Sequence, residues 1–220
     1  MNNALIQLLV LAGVAIFLIL KLRSVLGTRD GFEKPPALPP EEGRPAARQE
    51  FQVIEGGADQ DITDHVAADS EAAKALIAMK AAEPSFVLTP FLSGARQAYE
   101  MILMAFERGE LDPVRAFLGD EVEASFDEVI KAREARGLTV EANFIGLKEM
   151  VLQDATFDKV TGFAELTVRF VGELTSVVRD KSGTIIEGDA KSVKRQRDVW
   201  VFARKMGADD PNWQLVATGD

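Results

Sequence analysis

Residues 163–171 read FAELTVRFV, and within them Ala164, Leu166, Val168 and Phe170 alternate with Glu165, Thr167 and Arg169. Side chains of a β-strand point alternately to its two faces, so this stretch predicts a strand with one buried and one wet face. Working outward, Phe144–Phe157 reads as the preceding strand. Asp180-Lys181-Ser182-Gly183 is a turn signal between Val178 and Thr184. Val193–Ala203 is a third long strand carrying Trp200 and Phe202, and Trp213–Thr218 is a fourth.

Upstream the period lengthens to that of a helix. Thr89 is placed to cap a helix with Pro90 at its first position. That helix, PFLSGARQAYEMILMAFERG, presents Phe91, Ala95, Ala98, Tyr99, Ile102, Met104 and Phe106 on a broad apolar face, and Gly109 stops it. Asp112-Pro113 opens a short helical turn through Leu118. Glu121–Arg136 forms another helix, with Val122, Phe126, Val129 and Ile130 inward and Gly137 after its end. Asp69–Ala82 is Ala-rich, is capped by Asp69 or Ser70 and ends before Pro84; its stripe is Ala72, Ala73, Leu76, Ile77 and Met79. Helices first and antiparallel strands second predict an α+β fold, with helices packed on one face of a curved sheet of about four strands. Most aromatic residues lie beyond residue 85, so a fragment from Pro84 is expected to fold alone.

A curved sheet around a helix leaves a tapered interior, which is either packed core or an apolar pocket. The side chains that decide between them are Phe91, Tyr99, Ile102, Phe106, Phe126, Phe144, Phe170, Trp200 and Trp213. If the interior is open, Tyr99 belongs near its mouth, where its hydroxyl reaches water or a ligand.

The N-terminus carries a different message. Ala4–Leu20 reads ALIQLLVLAGVAIFLIL, with one polar side chain and no charge, and Lys21 and Arg23 follow. As a helix this run spans about 25 Å, slightly less than a ~30 Å hydrocarbon core. Leu5, Leu9, Ile16, Phe17 and Leu20 would face the acyl chains, and Lys21 and Arg23 would reach the headgroups. Signal peptides carry their positive charge before the apolar run, whereas here it follows, which favours an uncleaved anchor with the C-terminal domain in the cytoplasm. Residues 28–48 hold five of the nine prolines and read as a semi-rigid spacer. Residues 49–68 show no period and read as mobile chain. The expected organisation is an anchor over 1–27, a linker over 28–68 and an α+β domain over 69–220.

Composition narrows the chemistry. Net charge is −10, which argues against nucleic-acid binding. There is no cysteine and a single histidine, His65, so Ser-His-Asp or Cys-His catalysis and a histidine zinc site are not supported. Gly56-Gly57 lacks the Lys-Ser/Thr of a phosphate loop, and the Glu41-Glu42 and Asp209-Asp210 pairs lack the spacing of an oxygen-ligand loop. An acid–base site of the ketosteroid-isomerase kind needs a Tyr and buried carboxyls. Tyr99 is the sole Tyr, and by pattern Glu100 and Glu128 face away or outward. The expectation is no enzyme, no cofactor and no metal.

The blocks FLSGARQAYEMILMAFERGELDPVRAFLGDEVEASF, VRFVGELTSVVRDKSGTIIEGD, VWVFAR and DPNWQLVAT occur in order over roughly residues 85–220 and resemble the C-terminal domain of the Tim44-like family. That family comprises the mitochondrial inner-membrane import-motor anchor and its bacterial relatives. The resemblance implies a nuclear-transport-factor-two-like fold, a large apolar pocket and association with a membrane. It implies a bacterial inner-membrane protein that acts as a non-enzymatic adaptor, with a protein partner from translocation, chaperone or membrane-protein assembly machinery. The alternative it implies is a pocket that binds a lipid or small apolar ligand, with or without acid–base catalysis.

Overall fold

The structure is a computed structural model and describes residues 59–219. The apolar run with Leu5, Leu9, Ile16, Phe17, Leu20, Lys21 and Arg23, and the proline-rich segment, lie outside the described residues. Among the described residues no helix is long and apolar enough to cross a membrane.

Five antiparallel strands form one sheet: β1 (Thr139–Phe157), β2 (Phe163–Arg179), β3 (Ile185–Gly188), β4 (Lys194–Lys205) and β5 (Gln214–Gly219). Their order is β1-β2-β4-β5, and β3 pairs with the end of β2. The alternating stretch behaves as its pattern requires: Ala164, Leu166, Val168 and Phe170 are fully buried. In register, Val168 faces Trp200 and Leu166 faces Phe202 across the β2–β4 ladder. The strand beyond the expected four, β3, follows from the Asp180 turn, where the Asp180 carboxylate accepts from the N–H groups of Ser182 and Thr184. β1 begins five residues before the expected Phe144, and its pairing with β2 shifts between Phe144 and Gly146, Leu147 and Glu149, and Leu152 and Asp154. Each extra residue bends a strand and adds twist, so β1 curls the sheet.

Among the described residues four helices accompany the sheet: α1 (Gln60–Thr63), α2 (Glu71–Ala82), α3 (Leu88–Arg108) and α4 (Asp120–Ala135), with a 3-10 turn over Arg115–Phe117. Ser70, rather than Asp69, caps α2 by accepting from the Ala73 N–H. The buried stripe of α2 is Ala72, Ala73, Leu76 and Met79, whereas Ile77 is exposed. In α4, Val122 and Ile130 are buried, Phe126 is half-buried and Val129 points outward. Asp120, Glu121 and Glu123 occupy the first turn of α4, where the helix dipole favours acid.

Thr89 does not cap α3. The helix starts two residues earlier, and Val87 at its N-cap offers no side-chain hydrogen bond. The carboxylate of Asp61 takes that role, accepting from the N–H groups of Leu88 (2.7 Å) and Thr89 (2.9 Å) and from the Thr89 hydroxyl (2.7 Å). The other end of α3 stops at Gly109 in a left-handed turn (φ 76°). Asp61 sits in α1, inside the stretch expected to be mobile linker. Ile62 of the same helix is buried, so the domain starts no later than Asp59 and the boundary at 68/69 is corrected.

The interior is solid. Tyr99, Ile102 and Phe170 are fully buried and Trp200 nearly so. The Tyr99 and Phe170 rings stack at 4.4 Å, and Trp200 lies 4.9 Å from Tyr99. Tyr99 is therefore not at a mouth: its hydroxyl donates to Asp198 at 2.6 Å. Phe144 is half-buried with its ring 6.0 Å from Tyr99. Phe106 and Phe126 pair at 4.5 Å below the Arg133 guanidinium, away from this centre.

Because Leu76 and Met79 of α2 are fully buried and Ile62 belongs to the same core, a fragment from Pro84 loses core side chains. It is expected to melt without a cooperative transition, whereas a fragment from Val53 unfolds cooperatively. Calorimetry of the two fragments checks this, and it reverses the expectation drawn from the distribution of aromatic residues.

Candidate functional site

A groove of about 610 Å³ opens at one end of the domain, between the first turns of α3, the end of β4 and the segment leading into β5. Sequence explains each wall. Pro90 and Phe91 sit on the turn that Asp61 caps, and one turn later Gly94 leaves the floor bare, since a Cβ there would meet nothing within 4 Å. Asp210 accepts from the backbone and side-chain N–H groups of Asn212, forming the expected turn and presenting Trp213. Phe86, Phe91 and Trp213 make the aromatic wall, with Trp213 4.8 Å from Phe91 and 5.9 Å from Phe86.

Arg204 and Glu83 form the polar part of the groove. Arg204 follows Trp200 and Phe202 at period two, so it is the inward residue at the end of β4 and is buried. Its Nη2 donates to Glu83 at 2.7 Å, and its guanidinium lies 5.3 Å from the Trp213 ring centre. The second Glu83 oxygen accepts from the Gly207 N–H at 2.8 Å. Arg204 Nε is buried with no hydrogen-bond partner among the described residues. Burial works to raise the Glu83 carboxyl, but the Arg204 and Gly207 hydrogen bonds outweigh it and hold the group below its ordinary value.

Of the nine residues expected around a pocket, only Phe91 and Trp213 line this groove. Tyr99, Ile102, Phe170 and Trp200 are core, and Phe106, Phe126 and Phe144 lie outside the groove lining. Sequence reading missed Phe86, Glu83 and Arg204. A usable signal existed for one of them, because an Arg on the inward face of a strand must find a buried partner.

A second, polar groove of about 470 Å³ lies at the other end of α3, where Glu107 meets Arg133, Arg136, Lys194 and Glu187. Burial pushes the Glu107 carboxyl up, against the opposing pull of Arg133 and Lys194. Arg133 is already committed there, donating to the carbonyls of Phe106 and Glu107 at the end of α3. Among the described residues no three His, Asp or Glu side chains converge as metal ligands, and His65 is exposed. Glu100 and Glu128 are exposed as well.

A carboxyl held low in the folded state stabilises it above the unfolded value and loses that stabilisation as pH falls. Glu83→Gln is expected to lower stability at pH 7 by roughly 1–3 kcal/mol, because Arg204 loses its charge partner in a buried site. The variant should also lose less stability than the parent on acidification below pH 4.5, the ordinary value of the carboxyl. Urea melts at pH 7 and pH 3 check both.

The Tim44-like domain family model matches residues 72–220. Comparison with curated proteins finds no match. Among solved structures, the chain is similar to the intermembrane-space region of the chloroplast protein ARC6, with 11% identity and a TM-score of 0.41 over 58% of this chain and 94% of that one. The family match covers well over half of the sequence and runs from the first turn of α2 through β5, with every side chain of the groove inside it. By that match, the chain belongs to the Tim44-like family.

Proposed function

We propose that this chain is a membrane-tethered, non-enzymatic adaptor whose end groove holds apolar side chains of a partner polypeptide. The observation that carries this reading is the contrast between a filled interior and one open apolar groove walled by Phe86, Phe91 and Trp213. Aromatic side chains flanking an Arg are the composition of a protein-binding hot spot. In this reading residues 4–22 span a bacterial inner membrane once, Lys21 and Arg23 stay on the cytoplasmic side, and the α+β domain works in the cytoplasm. The partner belongs to protein translocation, chaperone or membrane-protein assembly machinery, as the family resemblance implies.

One observation favours a second reading, a lipid or small apolar ligand in the same groove. Arg204 Nε–H has no acceptor among the described residues, and a ligand carbonyl or headgroup oxygen would supply one.

Met101 lines the groove and is exposed, so a photo-crosslinking benzoylphenylalanine there samples the occupant. Irradiation in native membranes is expected to give discrete protein adducts that are absent when the same group replaces Ile186 on β3. Lipid-mass adducts alone would favour the second reading, and adducts equal at both positions would contradict both. For the topology, protease added outside the inner membrane should spare the α+β domain, and digestion there would overturn a cytoplasmic location.

A further inference from the structure

α1 is four residues long, too short to be stable alone, and yet it is pinned at three points. Ile62 is buried in the core. Lys80 of α2 contacts the carboxylates of both Asp59 and Asp61 at 2.7 Å. Asp61 also holds the Leu88 and Thr89 N–H groups of α3. A single carboxylate thus joins three helices.

What it holds is the groove. Val87, Pro90 and Phe91 line that groove and belong to the turn Asp61 caps. No local group replaces the cap: Val87 has none to offer and Pro90 has no N–H. The next N–H, that of Phe91, reaches the Val87 carbonyl only at 3.5 Å. The first turn of α3, and with it the contact between Phe91 and Trp213, is therefore set from outside by α1.

We propose that α1 is a strap that controls the groove: docked, it keeps the first turn of α3 wound and the aromatic wall closed on Trp213; lifted, it lets that turn fray and the wall loosen. Strap docking and groove occupancy are then linked equilibria, and each must strengthen the other by the same factor. This inference rests on the groove being the binding surface, as proposed above. It adds a control point whose residues, Asp59, Asp61, Ile62 and Lys80, do not line the groove.

The test uses the full chain, whose lack of cysteine makes an introduced thiol unique. Gly94→Cys places a thiol on the groove floor where there is room for it, and N-phenylmaleimide fills the groove with an apolar ring. Asp61→Ala is expected to speed hydrogen exchange at Leu88 and Thr89 about tenfold, the loss of a strong helix cap, and to leave Val168 and Trp200 unchanged. The same variant should raise acrylamide quenching of Trp213 and lower the labelling rate of Gly94→Cys, because the loosened wall holds the apolar ring less well. Filling the groove with the strap intact should slow exchange at Leu88, Thr89 and Ile62. Lys80→Met keeps the cap but removes its ion pair, and should shift all three readouts in the same direction by less; it serves where Asp61→Ala does not fold.

Unchanged exchange at Leu88 and Thr89 would overturn the capping role. Faster exchange with unchanged Trp213 quenching and labelling would overturn the coupling. Coupled readouts alongside a failed Met101 crosslink would leave the strap standing and overturn only the adaptor reading.

Discussion

Helix α3 lies in the hollow of the sheet, and the rest of the molecule depends on how closely it fits. The approach is close at Gly172 on β2, where a Cβ would stand 2.8 Å from the Tyr99 hydroxyl oxygen and 3.1 Å from a ring carbon. Only the absence of a side chain there lets Tyr99 sink in far enough to stack on Phe170. Burial first, and then the hydrogen bond to Asp198, push the Tyr99 hydroxyl well above its ordinary range, so it stays protonated and serves as a donor. Asp198 in turn accepts from the Gln196 side chain at 3.0 Å, so the polar end of a buried aromatic stack is satisfied.

A filled centre leaves the open space at the end of the domain. Along β4, Trp200 and Phe202 still face the core, whereas Arg204, two residues on, meets Glu83 at the groove. The groove is therefore where the packed interior runs out and its last inward residue is charged. The curvature that makes this possible comes from the three pairing shifts of β1, which also make its outer edge irregular and a poor template for another strand. The outer face carries ion pairs such as Glu149–Arg169 and Glu173–Arg195, which suit a solvated face.

How much of this was legible in the sequence depends on the range of each interaction. The β2 alternation and the Asp180 turn are local, and they read correctly. The apolar face of α3 read correctly, with Met104 buried and Phe106 packed on the core, but the same stripe could not say whether it borders a cavity or a core, since both demand the same apolar residues. The cap of α3 was misread because Thr89 fits the local rule while the true acceptor, Asp61, lies 27 residues away from Leu88. Asp61 falls in a segment with no period of its own, so nothing local marks it as part of the domain. Arg204 was readable in principle, as a charge at an inward position; its partner Glu83, 121 residues distant, was not.

The central claim is that α3 fills the sheet and confines binding to the end groove. Ile102, fully buried next to the Tyr99 stack, tests it most directly. A urea melt of Ile102→Ala should show a loss of about 2–5 kcal/mol, the transfer and cavity cost of truncating a packed core side chain. A loss below about 1 kcal/mol would mean that the space beside it is already open, and would contradict the account.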